Sequence, residues 1–100
     1  MLVPFPFSNL SQVKLRPALV LADAGQDDWI LCQITSNPYA DPRAVRLVNS
    51  DFSLGSLARE SFVRPGKLFT AHRSLVARPV GQIAAAKLAE TRKVLIRLLR

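Results

Sequence analysis

The sequence predicts a mainly β fold, a small antiparallel barrel with one C-terminal α-helix. Three observations lead there. Short runs rich in β-branched and aromatic residues recur along the first four-fifths of the chain, each bounded by Gly, Pro, Asn or Asp. The apolar spacing then changes from the period of a strand to that of a helix over residues 84–100. With 100 residues and a 49% hydrophobic fraction, the chain can bury one core, so residues 1–100 are read as a single domain.

The first run, LVPFPFS, holds two prolines, and proline cannot donate a ladder hydrogen bond. Side chains and backbone donors both alternate along a strand. Val3, Phe5 and Phe7 therefore share one face, expected to be the core face, and their N–H groups remain available on one edge. Residues 2–7 are read as a strand whose other edge is weakened. Residues 8–16, SNLSQVKLR, read as a polar, basic loop, and PALVLA (17–22) as a short buried strand. DAGQDD is turn chemistry around Gly25. WILCQIT (29–35) is a strand with Ile30, Cys32 and Ile34 on one face.

Asn37-Pro38 and Asp41-Pro42 mark a loop before a strand at AVRLV (44–48), and NSDFSLGSL reads as a turn or bulge around Gly55. ESFVR is a strand that Pro65-Gly66 is expected to break. KLFTAHRSLVARPVGQI then reads as a strand, a short turn or 3₁₀ piece near His72, and a further strand ending before Gly81. Ala84, Leu88, Thr91, Leu95 and Leu98 form one helical stripe, widened by Val94 and Leu99, which predicts a helix over about 84–99. Six or so strands closed by one helix suggest an SH3-like or OB-like architecture.

The formal net charge is +7, and ten of the 14 basic residues are Arg. Arginine suits bidentate phosphate recognition, so the balance points to an anionic partner: RNA, DNA or an acidic peptide. No apolar run is long enough to span a bilayer, and the N-terminus lacks the basic start and cleavage site of a signal peptide. One Cys and one His predict neither a disulfide framework nor a structural metal site. A cytoplasmic protein with no membrane association is the expectation, with Cys32 a buried small hydrophobe rather than a nucleophile. Trp29, Phe52, Phe62 and Phe69 read as core aromatics rather than stacking platforms. His72 is a possible base by residue type alone.

Three pieces carry a resemblance: VPFPFSNLSQVKLRPALVL, CQITSN, and ESFVRPGKLFTAHRSLVARPVGQI. In this order and at these spacings they resemble the MazF/PemK/Kid family of toxin endoribonucleases, the PemK-like branch above all. The resemblance covers nearly the whole chain. It implies an SH3-like barrel, a homodimer, metal-independent and cofactor-free cleavage of single-stranded RNA, and an antitoxin whose acidic segment occupies the RNA groove. The family's active-site Arg and Thr match Arg16 and Thr35. Cleavage by a ribose 2′-hydroxyl passes through a phosphorane with extra negative charge, which a guanidinium fork can stabilise without a metal. Thr35 would donate to a phosphoryl oxygen or hold the scissile group in line. Lys14, Lys67, Gln12, Ser36 and Asn37 are the expected RNA contacts, with the loop at 8–15 closing over the substrate. Where many relatives carry an acid followed by Gln, this chain has Arg64-Pro65. The alternatives are a non-catalytic RNA- or peptide-binding module and a gyrase poison of the same fold.

Overall fold

The computed structural model describes residues 1–8, 13–37, 41–56, 60–75, 79 and 81–100, and of residues 7, 8 and 13–15 the backbone alone. Among the described residues seven strands, β1 (Leu2–Ser8), β2 (Val13–Gly25), β3 (Asp28–Thr35), β4 (Val45–Leu47), β5 (Phe52–Gly55), β6 (Ser61–His72) and β7 (Gly81–Ile83), precede one helix, α1 (Ala85–Leu99). They form one antiparallel sheet in the order β4-β6-β3-β2-β1-β7-β5.

The ends of that order, β4 and β5, follow each other in the chain. Laid flat, six strand spacings would separate them by about 29 Å. The five Cα steps from Leu47 to Phe52 reach at most about 18 Å, and a 3₁₀ turn at Asn49–Asp51 shortens them further. The sheet therefore has to curl. Among the described residues β4 and β5 do not pair, so the expected barrel is barrel-like with an open seam rather than closed.

The prolines of β1 are explained by register. Pro4 stands opposite Pro17, and Pro6 opposite Leu15. Two prolines cannot exchange hydrogen bonds, so Pro4 and Pro17 make a non-hydrogen-bonded pair, and by alternation Val3–Ala18, Phe5–Arg16 and Phe7–Lys14 carry the ladder. Among the described residues the other edge of β1, where the missing donors lie, pairs with β7 only at Leu2–Gly81. An added Cβ at Gly81 would come within 2.9 Å of the Leu54 carbonyl oxygen, so this close approach requires glycine.

The core has two parts, one on each side of the sheet. Leu2, Leu19, Leu21, Cys32, Ile34, Val45, Leu47, Val63 and Ile83 pack beneath α1, against Leu88, Val94 and Leu95. Val3, Ala18, Leu31 and Ala71 lie on the opposite face with half-buried Phe5, Trp29 and Phe69, and the Phe5 and Phe69 rings sit 4.8 Å apart. Val3 and Phe5 share a core face as expected, but Leu2 is fully buried on the other, so β1 starts between two cores.

Several boundaries depart from the sequence reading. The segment 8–16 is not all loop: β2 begins at Val13, because Val13–Pro17 pairs residue for residue with Pro4–Ser8. Pro65-Gly66 does not end a strand. The β3–β6 register moves from Cys32–Leu68 to Gln33–Arg64, so Pro65, Gly66 and Lys67 bulge out and β6 continues. The NSDFSLGSL stretch holds a 3₁₀ turn and β5, and the last strand begins at Gly81 rather than ending before it. Strand β5 is exposed along most of its length, which removes the alternation a sequence reading needs. The helix lies where expected, but Leu99 is exposed rather than part of the buried stripe. Thr91 is its fully buried residue, its hydroxyl donating to the Lys87 carbonyl at 3.0 Å.

The β2–β3 hairpin closes with Gln26 and Asp27, both in the left-handed region at φ 55° and 64°. Two positive φ angles match the two-residue turn whose twist suits a hairpin, and Asn-Gly fills it at least cost. Gln26→Asn with Asp27→Gly should raise stability by about 1 kcal/mol, even after losing the exposed Asp27–Arg73 ion pair. Thermal melting checks this.

Among the described residues no helix is long and apolar enough to cross a membrane.

Candidate functional site

The face of the sheet turned away from α1 is apolar along most of its length and polar at one end. Three strands contribute. Gln33 of β3 stands opposite Ala18 of β2 on one side and Arg64 of β6 on the other. The β2–β3 ladder ends at Ala18–Gln33. Arg16 and Thr35 each lie two residues beyond that pair in their strands, on the faces of Ala18 and Gln33 respectively. Arg16 is exposed and stands opposite Phe5 on its other side.

Thr35 is nearly buried, at 6% exposure. Its hydroxyl accepts from the Asn37 N–H at 3.1 Å and donates to the Asn37 carbonyl at 3.0 Å. This local turn holds Ser36 and Asn37 at the end of β3, where both are exposed. Lys67 is exposed on the β6 bulge and lines a hollow of about 360 Å³ together with Asp41, Arg43, Arg64, Gly66 and Leu98. Lys14 lies in β2 opposite Phe7. Gln12 falls outside the described residues, as do residues 9–11 of the expected substrate loop.

Three residues join this region that residue patterns did not single out. The Arg64 Nε donates to Asp41 Oδ2 at 3.0 Å, with both side chains mostly buried. Arg64 Nη1 lies 3.5 Å from Gln33 Oε1, a long contact that orients more than it binds. Asp41 also accepts the Arg43 backbone N–H at 2.9 Å. A signal was present for two of them: Gln33 and Arg64 are polar residues inside otherwise apolar strands. Asp41 had no such mark, since Asp-Pro is ordinary turn chemistry.

The Arg43 N–H bond first, and Arg64 second, hold the Asp41 carboxyl below the usual carboxylate range. A depressed folded-state value stabilises the protein above the unfolded value of about 3.9 and is lost as pH falls through the folded one. Acid titration of Asp41→Asn should therefore show lower stability at neutral pH and a smaller loss below about pH 4 than the parent shows.

Burial pushes the Cys32 thiol up to about 12, and its side chain is fully buried, so it is no nucleophile at neutral pH. His72 lies at the end of β6, outside the polar end of the face, and its Nδ1 accepts the Ser74 N–H at 3.1 Å. Among the described residues no three His, Cys, Asp or Glu gather as a metal site would require.

A curled seven-stranded sheet with one C-terminal helix is the build of MazF-like toxins. The chain belongs to this family: the model of the PemK-like, MazF-like toxins of type II toxin-antitoxin systems matches residues 1–99. The chain is similar to MazF in the MazE-MazF crystal structure from Deinococcus radiodurans, with 26% identity, 98% of this chain and 91% of that one covered, and a TM-score of 0.74. It is similar to MazF alone from the same organism, at 28% identity, 98% and 91% coverage, and a TM-score of 0.73. An endoribonuclease in complex with its cognate antitoxin from a mycobacterial species shares the fold at 14% identity, 97% and 88% coverage, and a TM-score of 0.68. No curated protein sequence matches the chain significantly.

Proposed function

We propose that this toxin is an endoribonuclease that cuts single-stranded RNA without a metal or other cofactor. The reading is supported by the row Ala18, Gln33 and Arg64 across β2, β3 and β6, with Arg16 two residues beyond Ala18 and Thr35 two beyond Gln33 on the same face. The ribose 2′-oxygen attacks the neighbouring phosphorus, the P–O2′ bond forms and the P–O5′ bond breaks. The 2′-hydroxyl proton leaves to a base and a proton reaches the 5′-oxygen, leaving a 2′,3′-cyclic phosphate and a 5′-hydroxyl. Arg16 supplies fixed donors to the phosphorane oxygens, and a guanidinium is no base, so its role is electrostatic.

Thr35 acts on the scissile phosphate through the hydrogen it now gives to Asn37, or by holding the turn that presents Ser36 and Asn37. Lys14, Lys67, Gln12, Ser36 and Asn37 hold the RNA backbone. The Asp41–Arg64–Gln33 chain fixes the floor between them. A homodimer fits the half-buried Phe5, Trp29 and Phe69, which a second copy would cover. An acidic antitoxin is the expected inhibitor, as in the complexes formed by similar proteins. No finding supports DNA as the ligand.

The test is incubation of the protein with a long unstructured RNA in EDTA, followed by mapping of new 5′ ends. Discrete cuts support the enzyme. A gel shift without fragments means a binding module and overturns the reading.

A further inference from the structure

The register row that holds Thr35 continues outward across two more strands. Thr35 of β3 stands opposite Phe62 of β6, and Phe62 stands opposite Arg46 of β4. Alternation puts all three on the face turned away from α1, because their strand neighbours Ile34, Val63, Val45 and Leu47 are buried beneath the helix. Along the row, one strand spacing of about 4.8 Å separates the Thr35 and Phe62 backbones.

The sequence reading assigns Phe62 to the core. In the structure it is only half-buried, and among the described residues it belongs to neither group of core side chains. A charged pair flanks it instead. Arg46 Nε donates to Glu60 Oε2 at 2.6 Å, and Arg46 Nη2 reaches the same oxygen. Arg46 Nη1 and Glu60 Oε1 make no hydrogen bond among the described residues. Both side chains are well exposed, at 66% and 45%. A partly open aromatic ring thus lies between Thr35 and a fixed guanidinium–carboxylate pair that keeps one spare donor group and one spare acceptor.

We propose that Phe62 is the stacking platform for the base of a nucleotide beside the cleaved bond, and that Arg46 and Glu60 select a base with an exocyclic amino group. The proposal deepens the nuclease reading and rests on it for placing a single strand on this face. Single-stranded RNA is recognised by stacking its splayed bases on aromatic rings and by hydrogen bonds to their edges. Phe62 supplies the ring one strand away from Thr35, within reach of the adjoining nucleotide. The charged pair supplies the edge contacts. Cytosine presents its N4 amino group beside the N3 acceptor, which matches Glu60 Oε1 and Arg46 Nη1. Uracil offers only N3–H, set between two carbonyl oxygens that repel a carboxylate.

The test is fluorescence anisotropy with three labelled strands of about ten nucleotides. Two are 2′-O-methyl oligo(C) and oligo(U), which lack the attacking hydroxyl; the third is an abasic strand with the same phosphates. The parent should bind oligo(C) tightest and the abasic strand weakest. Phe62→Ala should lose about ten-fold or more on oligo(C) and oligo(U) and nothing on the abasic strand. Phe62→Leu, which keeps bulk without a π-face, should do the same and replaces Phe62→Ala if that variant does not fold. Glu60→Gln should bring oligo(C) down to the affinity of oligo(U) and leave oligo(U) unchanged. A Phe62 variant that binds all three strands normally, or weakens equally on all three, would overturn the proposal, the second result making Phe62 a structural residue. So would a parent that binds oligo(C) and oligo(U) alike, or a Glu60→Gln protein that keeps the parental preference. A parent that binds as described but cuts no RNA would refute the nuclease reading alone.

Discussion

Arg16→Ala should lower RNA cleavage by about a hundred- to a thousand-fold, the usual cost of removing a donor that stabilises charge in the transition state. The loss should fall on the chemical step and leave the fold intact. Arg16 is exposed on β2, and among the described residues its side chain makes no hydrogen bond or ion pair. Its backbone pairing with Phe5 survives truncation to Ala. Melting temperature should therefore move little, since surface substitutions away from special features usually stay within about 0.5 kcal/mol. Single-turnover cleavage with saturating RNA separates the two effects. A folded Arg16→Ala protein that cuts at the parental rate would remove Arg16 from the active centre.

Leu2→Ala should cause the largest loss of stability. Leu2 is fully buried beneath α1, stands opposite Leu19, and meets β7 at Gly81. It also joins the two halves of the sheet, because Leu2–Gly81 is the pairing that links β1 to β7. Truncating a buried leucine costs about 2–5 kcal/mol, including the cavity left behind. For a chain of this size that lowers the melting temperature by about 10–30 °C. Denaturant unfolding of the parent and the variant measures it. A loss below about 1 kcal/mol would mean that the start of β1 is not part of the core.

How much of this was legible in the sequence depends on where the determinant lies. The helix is clear because its period is local, and of its expected stripe only the last residue, Leu99, is exposed. The strand character of LVPFPFS followed from where proline N–H groups are missing, but the burial of Leu2 on the second face depends on α1 and β7, far along the chain. Strand β5 has too little burial to leave a pattern, and the continuation of β6 through Pro65 depends on a bulge that three residues create against β3. The same bulge governs the site. Arg16 and Thr35 carry a local pattern and a family resemblance, whereas Arg64 reaches Gln33 only through the shifted register, and Asp41 reaches Arg64 only through the loop before β4. Long-range register is what a single sequence displays least.

In the proposed reaction a ribose 2′-hydroxyl, activated beside Arg16, cuts the RNA strand. It is tested most directly with a DNA oligonucleotide carrying one ribonucleotide at a site mapped on the parent RNA, incubated with the protein in EDTA beside its all-deoxy counterpart. One cut is expected, on the 3′ side of the single ribose, ending in a cyclic phosphate, with the all-deoxy strand intact. Equal cutting of the all-deoxy strand, or cutting away from the ribose, would contradict it.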